Sequence, residues 1–233
     1  NGQFKKKCAQ MFFLSVCRRR MSSTSNSSRP PPTERLENTK SKQRKFFRQR
    51  IEMLSRSTII NESNQITQNA LKVKRVQQAK NINCFLSMKE EVQTDQLIDI
   101  LNRVDRQVSI PKVISDTEMK MTLLKANTPL SKQSLTTIHA YYGIRQLKEE
   151  EESREGQTNF DVIFVPALAF DSTTFQRLGR GKGYYDRFLS QLNTRPFTIG
   201  IGFSCQIVSN TLIFDHHDYP LDCIITPTNI YYR

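Results

Sequence analysis

The chain has 233 residues, a net charge of +13 and 37 % hydrophobic residues, enough for one domain of ordinary size plus a tail. Its five cysteines (Cys8, Cys17, Cys84, Cys205 and Cys223) are scattered, odd in number and form no C-x-x-C pair. That pattern argues against a zinc site or a disulfide framework, and nothing approaches the roughly 20 apolar residues of a membrane-crossing helix.

The charge is unevenly spread. Residues 1–33 hold seven Lys/Arg and no acid, which leaves 28 basic and 22 acidic residues, or +6, for residues 34–233. A moderately basic body suits a polyanionic small molecule such as a nucleotide better than a nucleic acid. Within residues 1–33 the short apolar run Met11 to Val16 lies between KKK and RRR, and the polar stretch MSSTSNSSRPPPT follows. This composition predicts a disordered tail, and its Arg- and Ser-rich, acid-free character resembles a mitochondrial presequence. The cysteine pattern points to a cytoplasmic enzyme; a genuine presequence would make it mitochondrial. Met21 offers an alternative start.

In the body, a helix is expected from Leu36 to Leu54, with Phe47, Ile51 and Leu54 at i, i+4 and i+7. Lys40 and Arg44 fall on the same face, so the docked side of the helix also aims two cations. A second helix is expected through Ile66 to Ala79. INCFLSM (Ile82 to Met88) reads as a buried strand, followed by an acidic turn and a helix from about Asp95 to Val104, with Thr94 as candidate N-cap. QVSIPKV and MKMTLLK read as two more strands, whereas residues 126–159, including KEEEESRE, have weak periodicity and are assigned no chemistry. The run Phe160 to Phe170 is expected to be a central strand covered on both faces. FTIGIGF (Phe197 to Phe203) and a closing strand with Asp222 at its entrance complete an α/β fold around a mostly parallel sheet.

The segment RLGRGKGYYD carries the chemistry. Gly179, Gly181 and Gly183 are three of the chain's eight glycines. Alternate glycines let backbone N–H groups approach an anion, and the interleaved Arg177, Arg180 and Lys182 add cationic donors for phosphate oxygens. A helix starting near Tyr184 would point its positive end there, and Asp186 in its first turn is a hard oxygen ligand suited to the Mg²⁺ of a triphosphate. The segment fits neither G-x-x-x-x-G-K-[ST] nor G-x-G-x-x-G. The tyrosine pair Tyr184–Tyr185 is expected to face the pocket, and Phe85 the core. Taken alone, the residues indicate an α/β enzyme that uses Mg-nucleotide.

VPALAFD followed by RLGRGKGYYDRFL resembles the signature of the 5-formyltetrahydrofolate cyclo-ligase family, and NINCFLSMKEEVQT, VSIPKV, TIGIGFSCQIV and DYPLDCIIT extend the resemblance from about Lys40 to Thr226. The resemblance implies a three-layer α/β fold and the Mg-ATP-dependent conversion of 5-formyltetrahydrofolate, or its polyglutamates, to 5,10-methenyltetrahydrofolate with release of ADP and phosphate. It places Lys40, Arg44 and the loop Arg177, Leu178, Gly179, Arg180, Gly181, Lys182, Gly183, Tyr184 and Tyr185 on ATP. It places Leu86, Glu91 and the loop from Arg180 to Tyr184 on the folate, with Arg180, Lys182 and Tyr184 serving the chemistry. Asp186 and Asp222 would hold Mg²⁺. A monomer that binds no membrane or nucleic acid is expected. Two departures stand out: Ala167 replaces a usual glycine, and the loop before Arg177 is one residue longer, with Phe175 near a glycine position. The rival readings are a non-catalytic nucleotide- or RNA-binding relative, and a related enzyme acting on a sugar phosphate or CoA ester without ATP.

Overall fold

A computed structural model of the chain describes residues 39–103, 105–138, 143–148 and 159–233. The expected tail, its boundary near residue 34, Val104 and most of the KEEEESRE run lie outside the described residues.

The first helix, α1 (Lys40–Glu52), starts at Thr39, whose side chain accepts from the Lys42 amide. Phe47 and Ile51 are buried as the periodicity requires. Instead of one helix over Ile66 to Ala79 there are two, α2 (Arg56–Lys72), capped by Ser55, and α3 (Lys74–Gln78). The break falls at Val73, which adopts an extended conformation and buries its side chain in the core. The strand read over INCFLSM is regular only as β1 (Asn81–Asn83). Residues 84–87 remain buried but leave the ladder. There the Thr94 hydroxyl donates to the Phe85 carbonyl and accepts from the Ser87 amide. Thr94 therefore sits at the N-cap of α4 (Asp95–Leu101) without making the capping bond.

Next come β2 (Gln107–Val113) and β3 (Met119–Leu123), then a hairpin, β4 (Leu135–Ile138) and β5 (Ile144–Leu147), in the stretch where the sequence showed little pattern. The run from Phe160 to Phe170 is two strands, β6 (Val162–Val165) and β7 (Ala169–Asp171), because Pro166, with no amide hydrogen to donate, lies between them. Beyond it lie β8 (Arg177–Leu178), α5 (Tyr184–Ser190), β9 (Phe197–Ile201), β10 (Ile207–Val208), β11 (Cys223–Ile225) and β12 (Ile230–Tyr232).

Seven strands form the main sheet in the order β12-β11-β9-β6-β1-β2-β3. Pairing is parallel from β11 to β2, and the edge strands β12 and β3 are antiparallel to their neighbours. Successive residues of β6 point to opposite faces. Val162 and Phe164 pack with Ile66, Val76 and Ile98 from the helices on one side, while Ile163 and Val165 pack with Phe170, Leu189 and Ile224 on the other. The sheet is thus covered on both faces, which explains the near-continuous apolar run. Gly200 on β9 and Gly202 just beyond it leave room for the Phe170 ring, with which a Cβ at either position would collide. A third cluster docks α1 through Phe47 and Ile51 onto Leu168, Ala169 and Leu178 beside the small sheet β10-β7-β8.

Candidate active site

A cavity of about 370 Å³ opens beyond the carboxyl ends of the parallel strands, where β1 gives way to Phe85 and Leu86, and β6 to Pro166 and Ala167. Open α/β sheets place ligands in this position because the strand-to-helix loops converge there. One wall is the glycine loop. Gly183 has φ 66° at the N-cap of α5 and Gly181 has φ 111°, conformations that favour glycine. Arg44 lies against this loop, its Nε donating to the Gly179 carbonyl at 3.0 Å and its guanidinium facing the Cα of Gly181. Lys40 lines the same wall one helical turn earlier. The structure therefore brings together Lys40, Arg44, Arg177, Leu178, Gly179, Arg180, Gly181, Lys182, Gly183, Tyr184 and Tyr185 around one cavity.

Asp186, Asp215 and Asp218 line the cavity beside these cations. Asp186 Oδ1 accepts from Arg177 Nη2 at 2.7 Å and from the Tyr219 amide at 3.2 Å. Arg177, whose side chain is only 5 % exposed, acts here as a buried prop for Asp186. Asp218 has its side chain 13 % exposed. Its Oδ2 accepts from Lys40 Nζ at 2.5 Å and from the Asp215 amide at 2.7 Å. Lys40 also reaches Asp215 at 2.7 Å; burial opposes its charge, but the two aspartates outweigh that and raise its pKa above the ordinary lysine value. Asp215, His217 and Asp218 bring possible ligand atoms within 4.8 Å of one another.

Asp222, the expected partner of Asp186, is elsewhere. It precedes β11 at the amino ends of the strands, and lines a separate polar depression with Arg75 and Arg195. Its Oδ1 is paired with Arg195 at 2.7 Å, and its Oδ2 accepts from both the amide and the hydroxyl of Thr198 at 2.9 Å. The chain direction of a parallel strand accounts for the difference. A residue at the entrance of β11 faces away from loops at the carboxyl ends, whereas Asp218, four residues earlier, still lies on the incoming loop.

That loop is fixed by Asp171, which is fully buried at the end of β7. Its carboxylate accepts from the amides of Thr173, Thr174, Asn210 and Thr211. Burial alone would raise the pKa of Asp171, but these amides outweigh it and hold the carboxyl below its ordinary value. Gln43, buried on α1, clamps the same loop by donating to the Thr211 carbonyl and accepting from the Ile213 amide. In the turn between β7 and β8, Phe175 has φ 58°, the left-handed conformation that a glycine would adopt without strain.

The opposite wall is apolar. Leu86, Met88, Pro111, Val113, Met119 and Ile144 line it, with Glu91 as its carboxylate. Glu91 Oε2 accepts from the Met88 amide at 3.0 Å, and Oε1 from Arg180 Nε at 3.2 Å. Tyr184 donates its hydroxyl to the Ser115 carbonyl, and Lys182 reaches Asp116 at 3.3 Å. The Tyr185 hydroxyl is buried without a hydrogen-bond partner among the described residues, and burial, with Cys84 and Glu91 nearby, pushes its pKa well up. Phe85 belongs to the core cluster and also borders the cavity. Ala167 lines the cavity as well. The reading of the sequence missed Asp218, Asp171 and Ile144. For Asp218 a signal was present, since reading Leu221 to Ile225 as a parallel strand already puts Asp222 at the end of the sheet away from the glycine loop.

In chemical terms the cavity offers cations and glycine amides suited to a polyphosphate, paired hard-oxygen donors suited to a divalent cation, and an apolar slot ending in a carboxylate. Residues 36–227 match the model of the 5-formyltetrahydrofolate cyclo-ligase family. The chain is 30 % identical to the mouse 5-formyltetrahydrofolate cyclo-ligase, over 77 % of this chain and 89 % of that protein. It is 29 % identical to the one from Saccharomyces cerevisiae, over 80 % and 94 %. Among solved structures it resembles the 5,10-methenyltetrahydrofolate synthetase of Aquifex aeolicus, with a TM-score of 0.69, 26 % identity and coverage of 83 % of this chain and 92 % of that one. It also resembles that of Mycoplasma pneumoniae, with a TM-score of 0.59, 28 % identity and coverage of 81 % and 98 %. With its α/β fold, its glycine loop and its apolar wall ending in Glu91, the chain belongs to the 5-formyltetrahydrofolate cyclo-ligase family and is an enzyme of that kind.

Proposed function

We propose that this enzyme converts 5-formyltetrahydrofolate to 5,10-methenyltetrahydrofolate at the expense of ATP, and that both substrates meet in the cavity at the carboxyl ends of the strands. The observation that carries this reading is the facing of two unlike walls across one cavity: the glycine loop with Lys40 and Arg44 on one side, and Leu86, Met88, Met119 and Glu91 on the other.

A formamide oxygen is a weak nucleophile and hydroxide a poor leaving group, so ring closure needs activation. The formyl oxygen attacks the γ-phosphorus and ADP departs. N10 of the folate then adds to the activated carbon, and phosphate leaves with the formyl oxygen as N10 gives up its proton. Phosphoryl transfer depends on positioning and charge neutralisation, so no protein nucleophile is required. Lys40, Arg44, Arg180 and Lys182 would neutralise the phosphates, and the glycine amides would orient them. Glu91 would accept from the amino and ring N–H groups of the pterin, whose ring lies on the apolar wall.

Asp186 and Asp218 would hold Mg²⁺. The donor set fits: two carboxylates line one cavity, each engaged with protein groups through one oxygen, Oδ1 of Asp186 and Oδ2 of Asp218. Hard oxygen donors suit Mg²⁺, which when bound to ATP would offset the phosphate charge. Asp222 is left with a structural role. The scattered cysteines support a cytoplasmic site for the reaction, and no helix among the described residues is long and apolar enough to cross a membrane.

The test is the absorbance of the methenyl product in a mixture of purified protein, 5-formyltetrahydrofolate, Mg²⁺ and ATP. An ATP-dependent rise, lost in Asp186→Ala, is the expected result. A well-folded protein that gives no rise would refute the reading.

A further inference from the structure

Arg180 projects from the glycine loop, yet its side chain reaches across the cavity to the folate wall. Its Nε donates to Glu91 Oε1 at 3.2 Å and its Nη1 lies 3.9 Å from Glu90 Oε2. We infer that Glu91 is an exchange point: it holds Arg180 until the folate arrives, and the pterin then takes the carboxylate and releases the guanidinium to the nucleotide. The inference rests on the proposed reaction and adds to it a coupling between the two substrates.

Three features support the exchange. The carboxylate is fixed independently of Arg180. Glu91 Oε2 accepts from the Met88 amide, and the turn is closed by the Glu91 amide on the Met88 carbonyl and by the Gln93 side chain on the carbonyls of Met88 and Glu91. Glu91 therefore keeps its place when its partner changes. Arg180, by contrast, is flanked by Gly179 and Gly181, the latter in the left-handed region, and its side chain is 29 % exposed against 11 % for Glu91. Finally, the chemistry of the two partners matches. The amino group and ring N–H of a pterin present adjacent donors on a planar amidine, much as a guanidinium does, so a pterin seated on Glu91 competes with the Arg180 guanidinium for the place beside Oε1.

The pair is partly buried but reached by water on the Arg180 side, so it can open when a competing partner arrives. Its effect is on the equilibrium. With Arg180 held at Glu91, the nucleotide loses one phosphate contact. With the pterin on Glu91, that contact becomes available. Linkage makes the effect mutual, and couplings of this type amount to about 5- to 150-fold in affinity.

The experiment is calorimetric titration of the full chain with a non-hydrolysable ATP analogue and Mg²⁺, with and without saturating 5-formyltetrahydrofolate. For the wild type, the folate is expected to tighten analogue binding about tenfold. Glu91→Gln keeps the shape of the side chain but removes the charge that holds Arg180. In the absence of folate it is expected to bind the analogue more tightly than the wild type does, approaching the folate-saturated value. Were Glu91 only a pterin contact, the folate-free affinity of this variant would equal that of the wild type, and that result overturns the exchange. If Glu91→Gln does not fold, Arg180→Ala serves instead: loss of the coupling supports the inference and full coupling refutes it. Product formation with uncoupled binding sinks the exchange and leaves the reaction standing, whereas coupled binding without product does the reverse.

Discussion

Two arginine–carboxylate pairs sit at opposite ends of the same sheet and differ in what surrounds them. At the amino ends, Asp222 pairs with Arg195 and also accepts from the amide and hydroxyl of Thr198, while its own backbone bonds Thr198 and Arg233. Together these bonds tie Arg195, Thr198 of β9 and Arg233 to the entrance of β11, so the carboxylate is committed to the fold. At the carboxyl ends, Arg180 and Glu91 touch across a cavity, and only Glu91 is anchored by its own turn. The same chemical pair is structural where the backbone occupies the second oxygen from a neighbouring strand, and exchangeable where one partner extends from a glycine loop.

The contrast can be broken most strongly at Asp218. Asp218→Asn is expected to lower kcat by about 100- to 1000-fold in steady-state assays with Mg-ATP, the size of effect seen when charge stabilisation is removed from a transition state. Asp171→Ala should act on stability, at about 3 kcal/mol in denaturant unfolding, because the amides that donate to it lose a buried acceptor. Its pH dependence follows from the lowered carboxyl. The stabilisation is complete above the unfolded carboxyl value and is lost as pH falls through the folded one. Wild type should therefore lose Tm on acidification more steeply than Asp171→Asn. A Cβ at Gly200 meets the Phe170 ring, so Gly200→Ala is expected to cost about 2 kcal/mol through overpacking, read as a lower denaturation midpoint. Smallest is Asp222→Asn, about 1 kcal/mol of stability with kcat within roughly threefold of wild type.

Much of this arrangement was legible in the sequence. The glycine loop, the stripe of Lys40, Arg44, Phe47 and Ile51, and the alternation of strands and helices all follow from spacing, and each is found in the structure. Periodicity was less able to mark where regular structure stops. Val73 breaks a helix and Pro166 a strand, while residues 84–87 stay buried outside the regular strand, with the Cys84 amide on the Ser109 carbonyl and Thr94 bonding Phe85 and Ser87. The hairpin of β4 and β5 was illegible for a different reason. Its strands pair with each other apart from the main sheet and show no clean alternation of apolar residues. Choosing between Asp218 and Asp222 required a direction rather than a motif, namely which end of a parallel strand faces the glycine loop.

The most direct test of the account compares Asp218→Asn and Asp222→Asn in the ATP-dependent formation of methenyl-folate, each verified as folded by circular dichroism. Near-wild-type product formation by Asp222→Asn and almost none by Asp218→Asn are expected. An active Asp218→Asn beside a folded but inactive Asp222→Asn would contradict the account, and would move the metal-binding carboxylate to the opposite end of the sheet.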